Sequence, residues 1–164
     1  MPLTVRSAQE RDLIAILEIY NQGITDRIAT LEADTKNIEY MRQWFTKRPA
    51  RYQVLVAELQ SEEIAGWASL NPYSPRLAYA GVADLSIYIR RDLRGQGIGS
   101  LLLPHLEEVA RINQFHKIVL MTFPFNLSGQ GFYRKMGYRS VGVFKNQGEL
   151  DGHFVDVMAM EKLL

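Results

Sequence analysis

The middle of the chain contains an alternating apolar segment that runs into a basic, glycine-rich loop and then into an amphipathic segment. Leu85, Ile87 and Ile89 alternate with polar or aromatic neighbours, which is the period of a half-buried strand. From Ile98 onward, apolar residues recur at helical spacing. The glycines between these segments leave the backbone N–H groups at the start of the helix uncovered by side chains. The segment therefore predicts a strand–loop–helix unit whose helix N-terminus can bind an anion.

The residues around the glycines indicate which anion this loop binds. The loop lacks the Lys-Ser/Thr pair of a nucleotide P-loop, and Ser100 stands where a dinucleotide-binding loop has its third glycine. A glycine-rich turn without a ligand is the structural alternative. The spacing Arg94-x-x-Gly97-x-Gly99 instead resembles the Arg/Gln-x-x-Gly-x-Gly/Ala signature of the GNAT acetyltransferases. That resemblance implies that the loop holds the pyrophosphate of acetyl-CoA, with Arg91 and Arg94 adding positive charge near the phosphates.

A second segment resembles the same family. Asn126 and Ser128 precede a helical stretch that contains Tyr133 and Lys135 and ends before Gly137. Asn126 is suited to cap this helix, and Gly137 is suited to the left-handed position after its end. In the family, the asparagine contacts the pantetheine arm of the cofactor, and the strand before the glycine loop splays from its neighbour to offer free peptide groups to the thioester.

The resemblance implies the following contacts with acetyl-CoA: Ser86, Ile87, Tyr88, Ile89, Arg94, Gly95, Gln96, Gly97, Ile98, Gly99, Ser100, Asn126, Ser128 and Lys135.

The other segments predict a mixed fold in a single domain over residues 1–164. We predict strands at 3–6, 53–58, 64–70, a segment ending at 89, 117–123, 138–144 and 154–160. We predict helices after a capping box at Ser7–Glu10, at 37–47, at 98–113 and at 127–136. The order β-α-α-β-β-β-α-β-α-β-β favours an α/β fold with a mixed sheet (α+β) over a doubly wound sheet. It is also the order of the GNAT fold.

Composition excludes several classes of protein. The 164 residues are 47% hydrophobic and 23% charged, which suits a globular domain with its own core. A net charge of +1 gives no overall attraction to nucleic acid or to a membrane, and no apolar run approaches membrane-spanning length. Cysteine is absent, and the three histidines are not spaced as metal ligands. We therefore expect no metal and, without a signal-peptide pattern at the N-terminus, a cytoplasmic location.

Acetyl transfer to an amine requires a base, because a protonated amine has no lone pair to attack the thioester. Asp84 lies on the Ser86 and Tyr88 face of the predicted strand, where an acidic residue is unfavourable unless it has a partner or a task. The structural alternative is a partner such as Arg76. We predict that Asp84 is the base, acting directly or through water.

In the family, a tyrosine at the position of Tyr133 often protonates the departing CoA thiolate. The alternative is that Tyr133 has a structural role in the core or at an interface.

Further motifs resemble the phosphinothricin and methionine sulfoximine N-acetyltransferase branch of the family. These motifs are Ile19-Tyr20-Asn21, Thr30-x-Glu32, Trp44, Arg76-x-x-Tyr79, Asp84-x-Ser86-Ile87-Tyr88-Ile89 and Asp151-Gly152-x-x-x-Asp156. In that branch, the substrate is a small α-amino acid with a tetrahedral phosphorus or sulfur group. Arg76 is suited to bind its carboxylate through two N–H groups, and Thr30, Glu32 and Tyr79 are candidates for the pocket wall. The branch usually has Glu where this chain has Asp84, and the shorter side chain suggests a water relay.

Two other functions stay open. A polyamine, aminoglycoside or peptide N-terminus as acceptor would keep the chemistry, but a cationic acceptor would need more acidic residues than Asp84 and Glu32. A non-catalytic CoA-binding module would keep the loop without turnover, and the presence of both Asp84 and Tyr133 argues against it. Because similar proteins are commonly dimers, the resemblance also implies a homodimer.

Overall fold

The chain folds around one seven-stranded mixed sheet, and the computed structural model describes all residues 1–164. The strands are β1 (Leu3–Ser7), β2 (Val54–Leu59), β3 (Ile64–Pro72), β4 (Val82–Ile89), β5 (Lys117–Thr122), β6 (Arg139–Leu150) and β7 (His153–Leu163). The helices are α1 (Leu13–Asp26), α2 (Ile38–Thr46), α3 (Ile98–Ile112) and α4 (Leu127–Lys135). In the sheet the strand order is β1-β2-β3-β4-β5-β7-β6, and only β4 and β5 are parallel. The predicted order of elements and the mixed α/β fold class are confirmed.

The start of α1 differs from the sequence prediction. The capping box predicted at Ser7–Glu10 is wrong, because the box is formed by Gln9 and Asp12. The Asp12 carboxylate accepts the backbone N–H of Gln9 at 2.7 Å, and a short 3₁₀ turn then leads into α1. Asp12 also accepts two N–H groups of Arg6 at 2.8 and 2.9 Å. This ion pair favours the later of the two capping positions.

The two C-terminal strands are longer than the sequence predicts. Apolar alternation predicts that the first ends at 144 and the second begins at 154, but their pairing continues to Leu150 opposite His153. The register shifts after Phe144, and there the Asp156 carboxylate accepts the backbone N–H of Asn146 at 2.8 Å. This bulged segment is polar and is held by a contact across the hairpin, so a search for apolar alternation does not detect it.

Two apolar clusters pack on opposite faces of the sheet. Val54 and Val56 of β2 belong to the cluster formed with α1 and α2, whereas Leu55 and Ala57 belong to the cluster formed with α3. Because successive side chains of a strand point to opposite faces, this alternation places α1 and α2 on one face and α3 on the other. None of the helices has both the length and the apolarity that a membrane crossing requires.

The two parallel strands separate soon after their pairing begins. Val82–Asp84 of β4 pair with Lys117–Val119 of β5, and no pairing between these strands continues beyond that point. On its other edge, β4 stays paired with β3 as far as Ile89. Residues 85–89 therefore expose an edge of unpaired peptide groups near the middle of the sheet, where such groups normally have partners. The opening between the strands is the natural place for a ligand.

A buried ionic cluster joins α3 to the C-terminal strands. Glu107 of α3 is 4% exposed, and its carboxylate accepts the Tyr138 hydroxyl and the Lys162 ammonium, each at 3.0 Å. Lys162 also donates to the carbonyl of Met136 at 2.8 Å. Burial, together with the Glu107 charge, raises the pKa of Tyr138, so this hydroxyl remains a donor at neutral pH. The cluster holds the end of α4 and the start of β6 against α3.

Glu107→Ala should lower the free energy of unfolding by about 2–4 kcal/mol, because it leaves the Tyr138 hydroxyl without its acceptor and the Lys162 ammonium without its carboxylate partner. Urea unfolding at neutral pH measures the loss. Glu108→Ala is the matched control, since its exposed side chain pairs only with Arg111, and we expect a change within about 0.5 kcal/mol. Equal losses in the two variants would show that the buried cluster contributes nothing specific.

Candidate active site

The glycine-rich loop has the backbone conformation of an open anion site. Gly95 and Gly97 have φ values of 75° and 83°, a left-handed conformation that only glycine adopts without strain. Gly97 is the N-cap residue of α3, and no side chain caps the N–H groups of the first turn. A Cβ atom built on either glycine would meet no atom within 4 Å. The uncapped donors of α3 therefore face open space that can hold a diphosphate.

A cleft of about 500 Å³ begins at this loop. Of the residues that the resemblance assigns to acetyl-CoA, all except Ser86 and Gln96 line it. Ser86 lines the neighbouring cavity, and the Gln96 side chain turns back to donate to the carbonyl of Asp92 at 3.3 Å. The lining residues are Gly23, Ile28, Ala29, Ile87, Tyr88, Ile89, Leu93, Arg94, Gly95, Gly97, Ile98, Gly99, Ser100, Asn126, Ser128, Gly129, Phe132 and Lys135. We call this space the cofactor cleft.

The two arginines of the loop are bound to a carboxylate that the sequence did not predict as their partner. Arg91 donates to both oxygens of Asp26 at 2.6 and 3.1 Å, and Arg94 donates to the same carboxylate at 2.6 Å. These hydrogen bonds, with Arg91 the larger contributor, hold the pKa of Asp26 below its usual value. Asp26 is the last residue of α1, so that helix fixes both guanidinium groups and partly neutralises the charge predicted to face the phosphates.

A second space of about 320 Å³ fills the opening between β4 and β5. The two spaces are continuous, because six residues line both: Ala29, Ile87, Tyr88, Asn126, Gly129 and Phe132. Its lining residues are Ala29, Thr30, Leu31, Asp84, Leu85, Ser86, Ile87, Tyr88, Met121, Thr122, Phe123, Asn126, Gly129, Phe132, Tyr133 and Val157. We call this space the reaction cavity. Asp84 is the only charged residue among those that line it.

Asp84 is a partly buried carboxylate at the point where β4 leaves β5. Burial raises the pKa of Asp84 from 3.8 to about 6, while a hydrogen bond from Asn71 acts in the opposite direction. Asn71 lies directly opposite Asp84 in the β3–β4 register. Asp84 makes no ion pair, so the alternative partner considered from the sequence, Arg76, is replaced by the Asn71 amide. A carboxylate with a pKa near neutral can accept a proton from an amine more readily than an ordinary aspartate.

Tyr133 of α4 lines the same cavity as Asp84. Burial, and after it the charge of Asp84, raise the pKa of the Tyr133 hydroxyl, which therefore stays protonated at neutral pH. The rings of Phe132 and Tyr138 pack against it with centroids 5.1 and 5.8 Å away. The structure thus brings together a carboxylate that can accept a proton and a phenol that can donate one.

The residues predicted to contact the acceptor lie in different places. Thr30 lines the reaction cavity, and its hydroxyl accepts the backbone N–H of Glu32 at 3.2 Å. Glu32 lies outside the cavity and pairs with Lys36 at 2.8 Å. Arg76 and Tyr79 are exposed on the segment between β3 and β4, away from the residues that line the cavity. For these three residues, a contact with the acceptor stays a prediction.

Several residues of the site were missed from the sequence. Phe132 lines both spaces, and its ring lies 3.0 Å from the position of a Cβ on Gly99, so this glycine permits close packing of α4 on α3. Met121 and Val157 form the β5–β7 wall of the reaction cavity. Asn71 contacts Asp84 across the strand pair. The apolar residues look like ordinary strand and helix positions, and Asn71 has no local signal that identifies its partner.

Comparisons with known proteins agree with this geometry. A family model described as an acetyltransferase (GNAT) domain matches residues 5–159. The L-methionine sulfoximine/L-methionine sulfone acetyltransferase of Pseudomonas paraeruginosa is 30% identical over 162 residues, which cover 98% of this chain and 94% of that protein. The structure of a phosphinothricin acetyltransferase from Sinorhizobium meliloti in complex with AcCoA is similar with a TM-score of 0.93 at 27% identity, covering 100% of this chain and 89% of that one. A ribosomal-protein-alanine N-acetyltransferase from Brucella melitensis is similar with a TM-score of 0.94 at 31% identity, covering 98% and 99%.

Asp84→Asn should stabilise the protein at pH 7.5 by about 2–3 kcal/mol, because the folded chain holds this carboxylate with a pKa near 6 instead of 3.8. Between these two values the folded state binds more protons than the unfolded state, so the stability of the original protein falls as pH rises through this range. The advantage of the variant should therefore be complete above about pH 6.5 and absent below about pH 4. Urea unfolding of the variant and of the original protein at pH 7.5 and at pH 4 measures this difference in stability.

The matched control for this measurement is Asp34→Asn, which removes an exposed carboxylate that makes no hydrogen bond and no ion pair. It should change stability little at either pH. A pH-independent effect of Asp84→Asn would contradict a raised pKa at Asp84.

Proposed function

This chain belongs to the GNAT family of acetyl-CoA-dependent N-acetyltransferases, and we propose that it acetylates the amino group of a small amino acid or a close analogue. Methionine sulfoximine, methionine sulfone and phosphinothricin are the proposed analogues, by likeness to the named relatives. The observation that carries the proposal is the reaction cavity, which joins the cofactor cleft and places Asp84 and Tyr133 around one small space. Since Asp84 is the only charged side chain lining it, a polycationic acceptor would find too few carboxylates there.

Different residues of the site would perform different steps of the proposed reaction. Acetyl-CoA supplies the acetyl group as a thioester, and the N–H groups of α3 with the free edge of β4 would hold its diphosphate and pantetheine arm. Asp84 accepts a proton from the ammonium group of the acceptor, directly or through water, and so exposes the lone pair that attacks the thioester carbonyl. The new C–N bond forms as the C–S bond breaks. Tyr133 then donates its hydroxyl proton to the CoA thiolate, the second proton that the amide nitrogen loses passes through water to the Tyr133 phenolate, and Asp84 returns its proton to solvent.

A peptide N-terminus is the second candidate acceptor, because one of the similar structures is named a ribosomal-protein-alanine N-acetyltransferase. It presents the same α-amino group and would enter the same cavity. The volume of about 320 Å³ favours the free amino acid, since most of a peptide would lie outside this space.

A panel of amines decides between these acceptors. Release of free CoA from acetyl-CoA is measured with methionine sulfoximine, methionine sulfone, phosphinothricin, the common amino acids, an alanine-initiated peptide, a polyamine and an aminoglycoside. We expect the highest kcat/KM with one of the amino acids or analogues. Preference for the peptide would support the second candidate, and acetyl-CoA binding without turnover on any amine would indicate a non-catalytic module.

Asp84→Asn should lower kcat/KM for the best amine by about 10²–10³-fold near neutral pH, because the amine then loses its proton only to bulk solvent. The affinity for acetyl-CoA should stay within about twofold, since Asp84 lies in the reaction cavity and not in the cofactor cleft. The defect should be largest at low pH, where the amine most needs a base. Steady-state rates from pH 5.5 to 9 with Asp34→Asn as control measure this, and a profile identical to that of the original protein would exclude Asp84 as the base.

Gly97→Ala should weaken the binding of acetyl-CoA at least tenfold, because its Cβ would project into the open space in front of the α3 N–H groups. Isothermal titration with acetyl-CoA measures the loss. Gly152→Ala is the matched control, since Gly152 has a similar φ of 77° in the β6–β7 turn and equally open surroundings. If both variants bind acetyl-CoA equally well, the loop is not the diphosphate site.

A homodimer and a cytoplasmic location also belong to this proposal, as implied by the resemblance. Val141, Phe144 and Phe154 of the C-terminal hairpin are 51%, 49% and 68% exposed, which supports a partner surface on this side. Sedimentation at micromolar protein concentration tests the oligomeric state.

A further inference from the structure

Asn71 is the polar residue that faces Asp84 from the adjacent strand. The two residues are directly paired in the β3–β4 register, and the Asn71 amide counteracts the effect of burial on the pKa of Asp84. The same amide nitrogen also donates to the Ser86 hydroxyl at 3.0 Å. The N–H side of the amide therefore faces β4. An asparagine side chain can also be placed the other way round, with its oxygen towards β4, and that orientation would present an acceptor to Asp84 instead of a donor.

Arg48 determines which of the two orientations is allowed. Arg48 donates to the Asn71 side-chain oxygen at 3.0 Å, and the Ser69 hydroxyl donates to the same oxygen at 3.0 Å. An arginine has donors only, so a reversed Asn71 amide would place N–H groups against N–H groups. The Arg48 guanidinium, which contacts the oxygen side of the Asn71 amide, thus makes the reversed orientation unfavourable.

The guanidinium group of Arg48 is itself held in place. It donates to the backbone carbonyls of Tyr52 and Leu70, each at 2.7 Å, and lies 4.4 Å from the ring centroid of Trp44. It pairs with no carboxylate, unlike Arg6, Arg27, Arg90, Arg91 and Arg94. Burial lowers the pKa of Arg48 to about 10, which still leaves the group charged at neutral pH. A partly buried arginine whose charge has no anionic partner is costly, which suggests a role beyond local packing.

We propose that Arg48, acting through Asn71, is a positioning residue that keeps the N–H side of the Asn71 amide facing β4, next to Asp84. This inference rests on the proposed role of Asp84 as the base. The donor fixes the carboxylate in the reaction cavity and stabilises its ionised form against the effect of burial. Arg48 touches neither the cofactor cleft nor the reaction cavity, so its effect on the reaction passes entirely through the Asn71 amide.

Few other groups can influence the titration of Asp84. Tyr88 on its own strand and Tyr133 on α4 are the titratable groups that interact with its charge, and both have raised pKa values that keep them neutral. From β5, the residue paired with Asp84 is Val119, which carries no charge. From β3, the residue paired with Asp84 is Asn71. The amide is thus the polar group through which a change at Arg48 would reach Asp84.

The test is a ¹³C NMR titration of the Asp84 carboxyl, assigned by its absence in Asp84→Asn. Asn71→Leu should raise the pKa of Asp84 by about one unit, because the donor is lost. Arg48→Met should raise it in the same direction by a smaller amount, because Asn71 can then reverse. Arg48→Lys keeps a donor for the Asn71 oxygen and should restore a value near that of the original protein. The acid limb of kcat/KM for the amine should move with these values, while the KM for acetyl-CoA stays unchanged.

A double-mutant cycle separates action through Asn71 from a direct effect of the Arg48 charge. If Arg48 acts through the amide, Arg48→Met should have no further effect on the pKa of Asp84 in the Asn71→Leu background. An equal shift in both backgrounds would overturn the proposal, as would an unchanged pKa in Arg48→Met alone. Asn71→Ala replaces Asn71→Leu if the larger side chain prevents folding, which near-ultraviolet circular dichroism monitors.

The titration also distinguishes this inference from the proposed function. If Asp84→Asn keeps full activity, Asp84 is not the base, but its NMR-measured pKa still reports whether Arg48 and Asn71 control it. If Asp84→Asn loses activity while Arg48→Met leaves the pKa of Asp84 unchanged, the base assignment stands and the positioning role fails.

Discussion

The site of this protein depends on the early separation of β4 and β5. Two parallel strands in the middle of a sheet would normally pair along their whole length, because unpaired peptide groups are costly when they are buried. Here the pairing ends at Asp84 and Val119, and the free edge of β4 lines two continuous spaces. The opening is supported from both sides, by the β3 pairing that continues to Ile89 and by the β5–β7 pairing from Lys117 to Thr122. The pairing of the flanking strands therefore stabilises the sheet while this edge of β4 stays unpaired and open to a ligand.

The C-terminal end of helix α1 and the residue after it position segments that line both spaces. At its C-terminal end, Gln22 accepts the backbone N–H of Arg91 at 2.8 Å, and Asp26 accepts both loop arginines. The next residue, Arg27, donates to the carbonyls of Ile24 and Ala33 and to the carboxylate of Asp151. One short stretch of chain thus holds the glycine-rich loop on one side and the segment that contributes Thr30 to the reaction cavity on the other. A shift of α1 would disturb both spaces together.

The parts of the site that could be predicted from the sequence are local in the chain. The glycine-rich loop is recognisable because its backbone conformation requires Gly95 and Gly97 within a few residues of an apolar strand and an amphipathic helix. Asp84 is recognisable because a carboxylate in an apolar strand is unusual. The partners of these groups were not predictable, since Asp26 is distant from the loop in sequence and Asn71 lies beside Asp84 only through the strand register. Gln9 and Asp12 show the same limit at short range, because the Arg6 contact that favours their capping box depends on the folded chain.

The pKa of Asp84 is set by two opposing effects, burial and the Asn71 amide, and their balance suits the carboxylate to the proposed proton transfer. A fully solvated aspartate would be too weak a base to compete for the proton of an ammonium group, whereas a fully desolvated one would be protonated itself. The protein reaches an intermediate value by burying the carboxylate and supplying one neutral donor, without an adjacent cation that would lower its pKa further. Arg48 is separated from Asp84 by the Asn71 amide, so its charge orients that amide without forming an ion pair with the proposed base. An ion pair would instead favour a structural role for Asp84 over the proposed role as a base.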